Sequence, residues 1–172
     1  MKNIYFIIAF IFFQNIGFAQ NEFLQEANKK WQSATEYTQK VIEAMPQKHF
    51  GFKPVKEEMS FEEQLLHMAN NMNWLGSSFL TNKPSPYPER QVVAGKSRKE
   101  IIEITNKSMA YIHSILADFK TENLSDLVNF PAEQLTKRQI ITLLNDHHTH
   151  HRAQLLVYLR IKGEKPPKYV GW

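Results

Sequence analysis

Residues 146–154 read Asp-His-His-Thr-His-His-Arg-Ala-Gln and place four of the chain's seven histidines within five positions. His147 and His151 are four residues apart, which on an α-helix puts both imidazoles on one face, a turn apart. Two neutral imidazoles held in that way form a pair of ligands for a divalent transition metal. A hydrogen-bonded pair of core histidines satisfies the same pattern, because each buried ring needs partners for its nitrogens. Both readings stand on the spacing alone. A zinc-protease helix of the His-Glu-x-x-His type is excluded, because His148 occupies the position of the glutamate base.

These histidines need a long helix. The segment from Thr136 to about Lys162 supplies one, with Gln139 completing a capping box at its start and Gly163 placed as its C-terminal cap. Ile140, Leu143, Leu144, Leu155 and Tyr158 form its inward stripe, and His147 and His151 fall inside that stripe. His148 and His150 fall on opposite flanks and are expected to be flanking or solvent-exposed. A third ligand has to come from another helix, and His67 is the candidate. It lies to one side of the seam Phe61, Leu65, Met68, Met72, Leu75 and Phe79. It shares a second face with Asn71, Trp74 and Ser78, one that could look into a pocket. The pattern alone favours a partly exposed histidine there. His49 reads as a loop residue and His113 as a surface residue.

Apolar periodicity is helical throughout, and no alternating strand stands out. The first helix runs from about Glu22 to Met45, with Ala27, Trp31, Ala34, Val41 and Met45 on one face. The second opens on the capping box Ser60/Glu63 and ends before the loop Thr81 to Gly95, where Pro84, Pro86 and Pro88 forbid helix. The third opens on Ser97/Glu100. The linker Asp118 to Leu135 reads as irregular, with Leu124, Leu127, Val128 and Phe130 available to pack across the helices. The tail after Pro166-Pro167 carries Tyr169, Val170 and Trp172 and is expected to fold back. The expected fold is all-α, a four-helix bundle with long inter-helix loops.

Residues 1–19 read as a secretory signal peptide: a basic start, an apolar run from Ile4 to Phe13, and Gly17-Phe18-Ala19 before the cut. The expected mature domain is residues 20–172, exported to the periplasm or beyond the cell, with no stable membrane anchor after cleavage. The chain has no cysteine, which removes disulfides, thiolate ligands and cysteine nucleophiles. Its net charge of +4 is spread over interleaved Lys and Glu. No basic stripe with aromatic residues between its charges is present, so nucleic-acid binding is not indicated.

Several segments together resemble the DinB/YfiT-like superfamily of metal-binding four-helix bundles, over nearly all of the expected mature chain. They are Phe50-Gly51-Phe52-Lys53-Pro54 after Met45-Pro46, then Ser60-Phe61-x-Glu63-Gln64-Leu65-Leu66-His67. The third is His147-x-x-x-His151-Arg152-Ala153-Gln154-Leu155, where Ala153 replaces a usual glycine. The last is Tyr158-Leu159-Arg160 through Gly163 to Pro166-Pro167. The resemblance implies a three-histidine site of His67, His147 and His151, a divalent ion such as nickel or zinc, and a homodimer. Members of that superfamily include thiol-dependent transferases and isomerases, and others with no known reaction; cytosolic thiol cosubstrates sit poorly with export. An open three-histidine site suits catalysis. The expected function is therefore a metal-dependent enzyme, a hydrolase of a small-molecule substrate, with a non-catalytic metal-binding or scaffold protein as the alternative. Glu63 reads as a cap rather than a base. Arg152 and Gln154 either orient substrate or tie the helix to the tail.

Overall fold

The computed structural model describes residues 21–172 in full, and the expected leader of residues 1–19 lies outside them. Four long helices make up the architecture: α1 (Lys2–Ala44), α2 (Phe61–Leu75), α3 (Arg98–Asp118) and α4 (Lys137–Ile161). Both α1 and α2 pack against α3 and against α4, so the helices follow one another around the bundle as α1, α3, α2, α4. This is the expected four-helix bundle. No described helix is long and apolar enough to cross a membrane.

Each described helix start is set by local chemistry. Ser60, Ser97 and Thr136 accept from the backbone N–H three residues on, and Glu63, Glu100 and Gln139 reach back to the cap backbone. A cap of this kind is worth about 1 kcal/mol and fixes the helix register. Helix α4 stops where Gly163 adopts a positive φ of 75°. The Glu164 N–H then donates to the Leu159 carbonyl and the Gly163 N–H to the Arg160 carbonyl. That pair of bonds is a Schellman ending, which glycine accommodates without a Cβ clash.

The α2 seam is buried from Phe61 through Leu65, Met68 and Met72 to Leu75, and Trp31 and Val41 of α1 and Met45 just after it are fully enclosed. Beyond Leu75 the helix widens into a π-type turn over Gly76–Leu80, closed by the Thr81 N–H on the Gly76 carbonyl at 3.1 Å. Gly76 sits hard against α3. A Cβ there would lie 2.7 Å from Cε1 of Tyr111 and 3.0 Å from the Cδ1 atoms of Ile112 and Ile115.

The 119–136 linker is more ordered than its sequence indicates. A 3-10 turn at Thr121–Ser125 buries Leu124, and strands β1 (Leu127–Asn129) and β2 (Gln134–Thr136) pair antiparallel with Val128 opposite Leu135. Three-residue strands are too short for an alternation to show in a sequence. Leu127 points outward instead of packing, whereas Val128 and Phe130 are half-buried. In the tail, Val170 packs on the core as expected, and Tyr169 meets Tyr37 edge-on at 6.2 Å. Tyr169 and Trp172 remain largely exposed.

Candidate metal centre

Helices α2 and α4 bring His67, His147 and His151 together, with one ligand nitrogen from each lying within 4.8 Å of the others. Nε2 of His67 and Nε2 of His147 are 3.1 Å apart. Two nitrogens each about 2.1 Å from a shared ion, at 90–110° to one another, would sit about 3.0–3.4 Å apart. The observed spacing falls in that range. The ring of His151 lies 4.4 Å from each of the other two, centroid to centroid.

Outer contacts determine which nitrogen of His151 is available. The Tyr158 hydroxyl donates to the Met59 carbonyl at 2.8 Å and is approached by the Gln64 amide nitrogen at 3.4 Å. That arrangement turns the Gln64 carbonyl oxygen toward His151, 2.6 Å from Nδ1, and Gln154 Oε1 is 3.0 Å from the same nitrogen. Two acceptors on Nδ1 require it to carry the proton. Nε2 then keeps its lone pair for the centre, the arrangement by which ligand histidines are oriented. Phe52 packs edge-on against Tyr158 at 5.9 Å, so the loop after α1 braces the outer end of this chain of contacts.

Burial lowers the pKa of all three rings. His147 and His151 are pushed down to about 4 by loss of hydration, with neighbouring histidines adding to the effect. His67 is lowered by burial first and by Arg90 second. All three are neutral at pH 7 and able to ligate. Of the three, His151 is buried, whereas His67 and His147 are half-exposed, and His67 borders an opening.

That opening is a cavity of about 550 Å³ beside His67. Asn71, Trp74 and Ser78 line it, the second face of α2 that the sequence singles out. The opposite wall is the proline-bearing loop, with Tyr87 and Arg90. Asp146 is exposed on α4 and takes no part in the cluster.

His148 corrects an expectation. It is 2% exposed, with Nε2 2.8 Å from Thr38 Oγ1 and its ring 4.9 Å from Trp31. Helix α4 packs on α1 as well as α2, so its buried surface is wider than a single stripe. His147 and His151 face α2, whereas His148 faces α1. His150 is exposed as expected and meets His151 edge-on at 4.9 Å; His113 is also exposed.

The remaining polar residues divide in role. Glu63 is taken up by the Ser60 cap and by Lys53 at 2.8 Å. Arg152 lies over the Tyr37 ring at 5.2 Å, which ties α4 to α1, and donates to Thr149 one turn back on its own helix. Gln154 instead holds His151. Gln64 is the residue that sequence reasoning gave no role. A wholly buried glutamine one turn before a candidate ligand has to find partners, and that spacing is the signal that points to it.

Comparisons with known proteins agree with this architecture. The DinB family model matches residues 19–171. YjoA of Bacillus subtilis is 22% identical over 126 residues, covering 73% of this chain and 82% of its own. The crystal structure of that DinB-like protein superposes with a TM-score of 0.68 at 19% identity, over 84% of this chain and 96% of the other. A DinB-like protein from Bacillus cereus gives 0.72 at 21% identity, over 86% and 95% of the two chains. A conserved protein from Enterococcus faecalis gives 0.63 at 17% identity, over 80% and 95%. At these identities the likeness is one of fold.

Proposed function

The chain belongs to the DinB family, and from that premise we propose that it is a metal-dependent enzyme whose His67, His147 and His151 hold one divalent ion, nickel or zinc. The observation that carries this reading is the convergence of three neutral imidazoles beside a cavity, with the tautomer of His151 set by Gln64 and Gln154. The donor set fits such an ion: three imidazole nitrogens within 4.8 Å of one another, two of them at ligand spacing, and no carboxylate among the described residues closing the cluster. The chemistry that a divalent ion would supply there, if bound, is that of a Lewis acid toward water or a substrate oxygen.

The protein's own contribution is positioning. Gln64 and Gln154 fix His151, the α2–α4 packing fixes the separation of His67 from the pair, and the cavity gives a small substrate access on the His67 side. Hydrolysis of a small substrate is favoured over thiol transfer, because the N-terminal sequence reads as an export signal and an exported domain would be kept from cytosolic thiols. An intact mass of the exported protein that begins after Ala19 supports that placement; one that includes residues 1–19 removes it.

A non-catalytic metal-binding role is the second reading. It is favoured by the commitment of Glu63 to its cap and to Lys53, which leaves no spare carboxylate in the cluster to act as base. Metal analysis of the purified protein, followed by assays with simple esters, amides and phosphoesters, separates the two. Turnover by the metal-loaded protein that is lost in His151→Ala supports the enzyme. One bound ion with no turnover supports the second reading, and no bound ion overturns both.

A further inference from the structure

The cavity beside His67 has one wall from α2 and one from the loop between α2 and α3, and the two differ in chemistry. On the α2 wall, Trp74 presents its indole at 41% exposure. Its ring is held from behind by Phe79 at 5.3 Å and Phe130 at 5.6 Å, so an apolar surface is fixed in place at the cavity. Asn71, one turn beyond His67, keeps a buried side-chain oxygen with no hydrogen-bond partner among the described residues.

The loop wall is stiffly built. Pro84, Pro86 and Pro88 restrict its backbone. Asn70 clamps it to α2 through two bonds: its Nδ2 donates to the Gln91 carbonyl, and its Oδ1 accepts from the Gln91 N–H, each at 2.8 Å. Arg90 precedes that clamp directly. Among the described residues its guanidinium makes no ion pair and no hydrogen bond, and it lines the cavity. Glu89 also lines the cavity from this loop, but of the two loop charges Arg90 is the one that acts on His67.

We propose that this cavity binds a small organic anion, its carboxylate or phosphoryl group paired with Arg90 and its apolar body against Trp74, and that such anions are the substrate class of the centre. The proposal deepens the metal-enzyme reading and rests on it for the word substrate. The binding site itself stands on Arg90, Trp74 and the Asn70 clamp. A guanidinium offers a planar fork of donors that matches carboxylate and phosphoryl oxygens. A preformed wall lowers the ordering cost of binding. The cavity volume lies in the range of ordinary small-molecule sites. A divalent ion on three neutral imidazoles would add positive charge at the His67 end, so the ion and Arg90 would act on an anion in the same sense, against the single carboxylate of Glu89.

Calorimetric titration of benzoate and phenyl phosphate into metal-free and metal-loaded protein tests this, with benzamide as the neutral control. Wild type is expected to bind at least one anion in both forms, at least tenfold more tightly than benzamide. Arg90→Ala should weaken anion binding tenfold or more, and Arg90→Lys should recover part of it. Metal content is measured on the same samples, and Arg90→Ala should leave it unchanged. If wild type takes up no metal, the metal-enzyme reading falls, while the metal-free titrations still decide on Arg90. Equal binding by wild type and Arg90→Ala, equal binding of benzamide, or no anion binding in either form overturns the proposal.

Discussion

Gln64 and His151 are joined at 2.6 Å, Oε1 to Nδ1, across the α2–α4 interface. This bond comes from a glutamine with no exposed surface, whose amide nitrogen is directed at Tyr158 and whose oxygen therefore faces the imidazole. Replacing Gln64 by Leu removes the main acceptor and frees the ring to rotate or change tautomer. Outer partners of ligand histidines typically contribute about 10–100-fold in metal affinity. Gln64→Leu is expected to bind zinc or nickel within that range more weakly, with unchanged far-UV circular dichroism. Gln64→Glu, which keeps an acceptor, should retain most of the affinity. Equal affinity in wild type and Gln64→Leu would show that Gln154 suffices.

Chelation should leave the bundle standing. The enclosed side chains Trp31, Phe61, Leu65, Met68, Ile112 and Leu155 carry the packing and lie outside the histidine cluster. Helical ellipticity after treatment with a chelator is expected to stay close to that of the loaded protein, while the melting temperature drops by the binding contribution. Collapse of the helical signal on chelation would make the ion structural and remove the main support for catalysis.

How much of this was legible in the sequence depended on the range of the interaction. The three capping boxes and the Gly163 ending were readable because each is decided within six residues. The α2 seam and the pair His147/His151 were readable because helical periodicity is local. His67 needed the family resemblance, since its own periodicity is that of a half-exposed residue. His148 was misplaced because the width of the buried face on α4 depends on α1, more than a hundred residues away. The hairpin at 127–136 gave too short an alternation. Arg90 and Gln64 matter only through partners on other elements, Asn70 holding the loop of the one and His151 meeting the other.

Gly76 is the point of closest approach between the end of α2 and α3. The Tyr111 ring that a new Cβ would strike cannot easily swing away, because its hydroxyl is tied to the Lys83 carbonyl at 2.9 Å. Gly76→Ala is therefore expected to cost about 1–3 kcal/mol as an overpacking change, despite the better helix propensity of alanine. In a chain of this length that corresponds to several degrees in melting temperature. A melting temperature equal to or above wild type would mean that α3 yields at this contact.

Acid should destabilise the metal-free protein from near neutrality, and His148 should be a separable part of that loss. The Thr38 hydroxyl donates to the Ala34 carbonyl at 2.8 Å, so it accepts from His148 Nε2–H. Nδ1 is left without a partner among the described residues, in a site closed by Trp31. Burial, with Arg152 adding its charge, pushes the His148 pKa from 6.5 down to about 3. The unfolded chain takes up this proton first as pH falls. Stability is thus full above pH 6.5 and is lost as pH drops from there toward 3. At pH 5 the loss from His148 alone is about 2 kcal/mol. His147 and His151, whose pKa values are also depressed, add losses of the same sign. Urea unfolding at pH 7 and pH 5, with chelator present, measures the total. His148→Gln can still donate to Thr38 but cannot take up a proton, so its stability should fall less over the same interval. An equal fall in the variant would place the acid sensitivity wholly in the three clustered histidines.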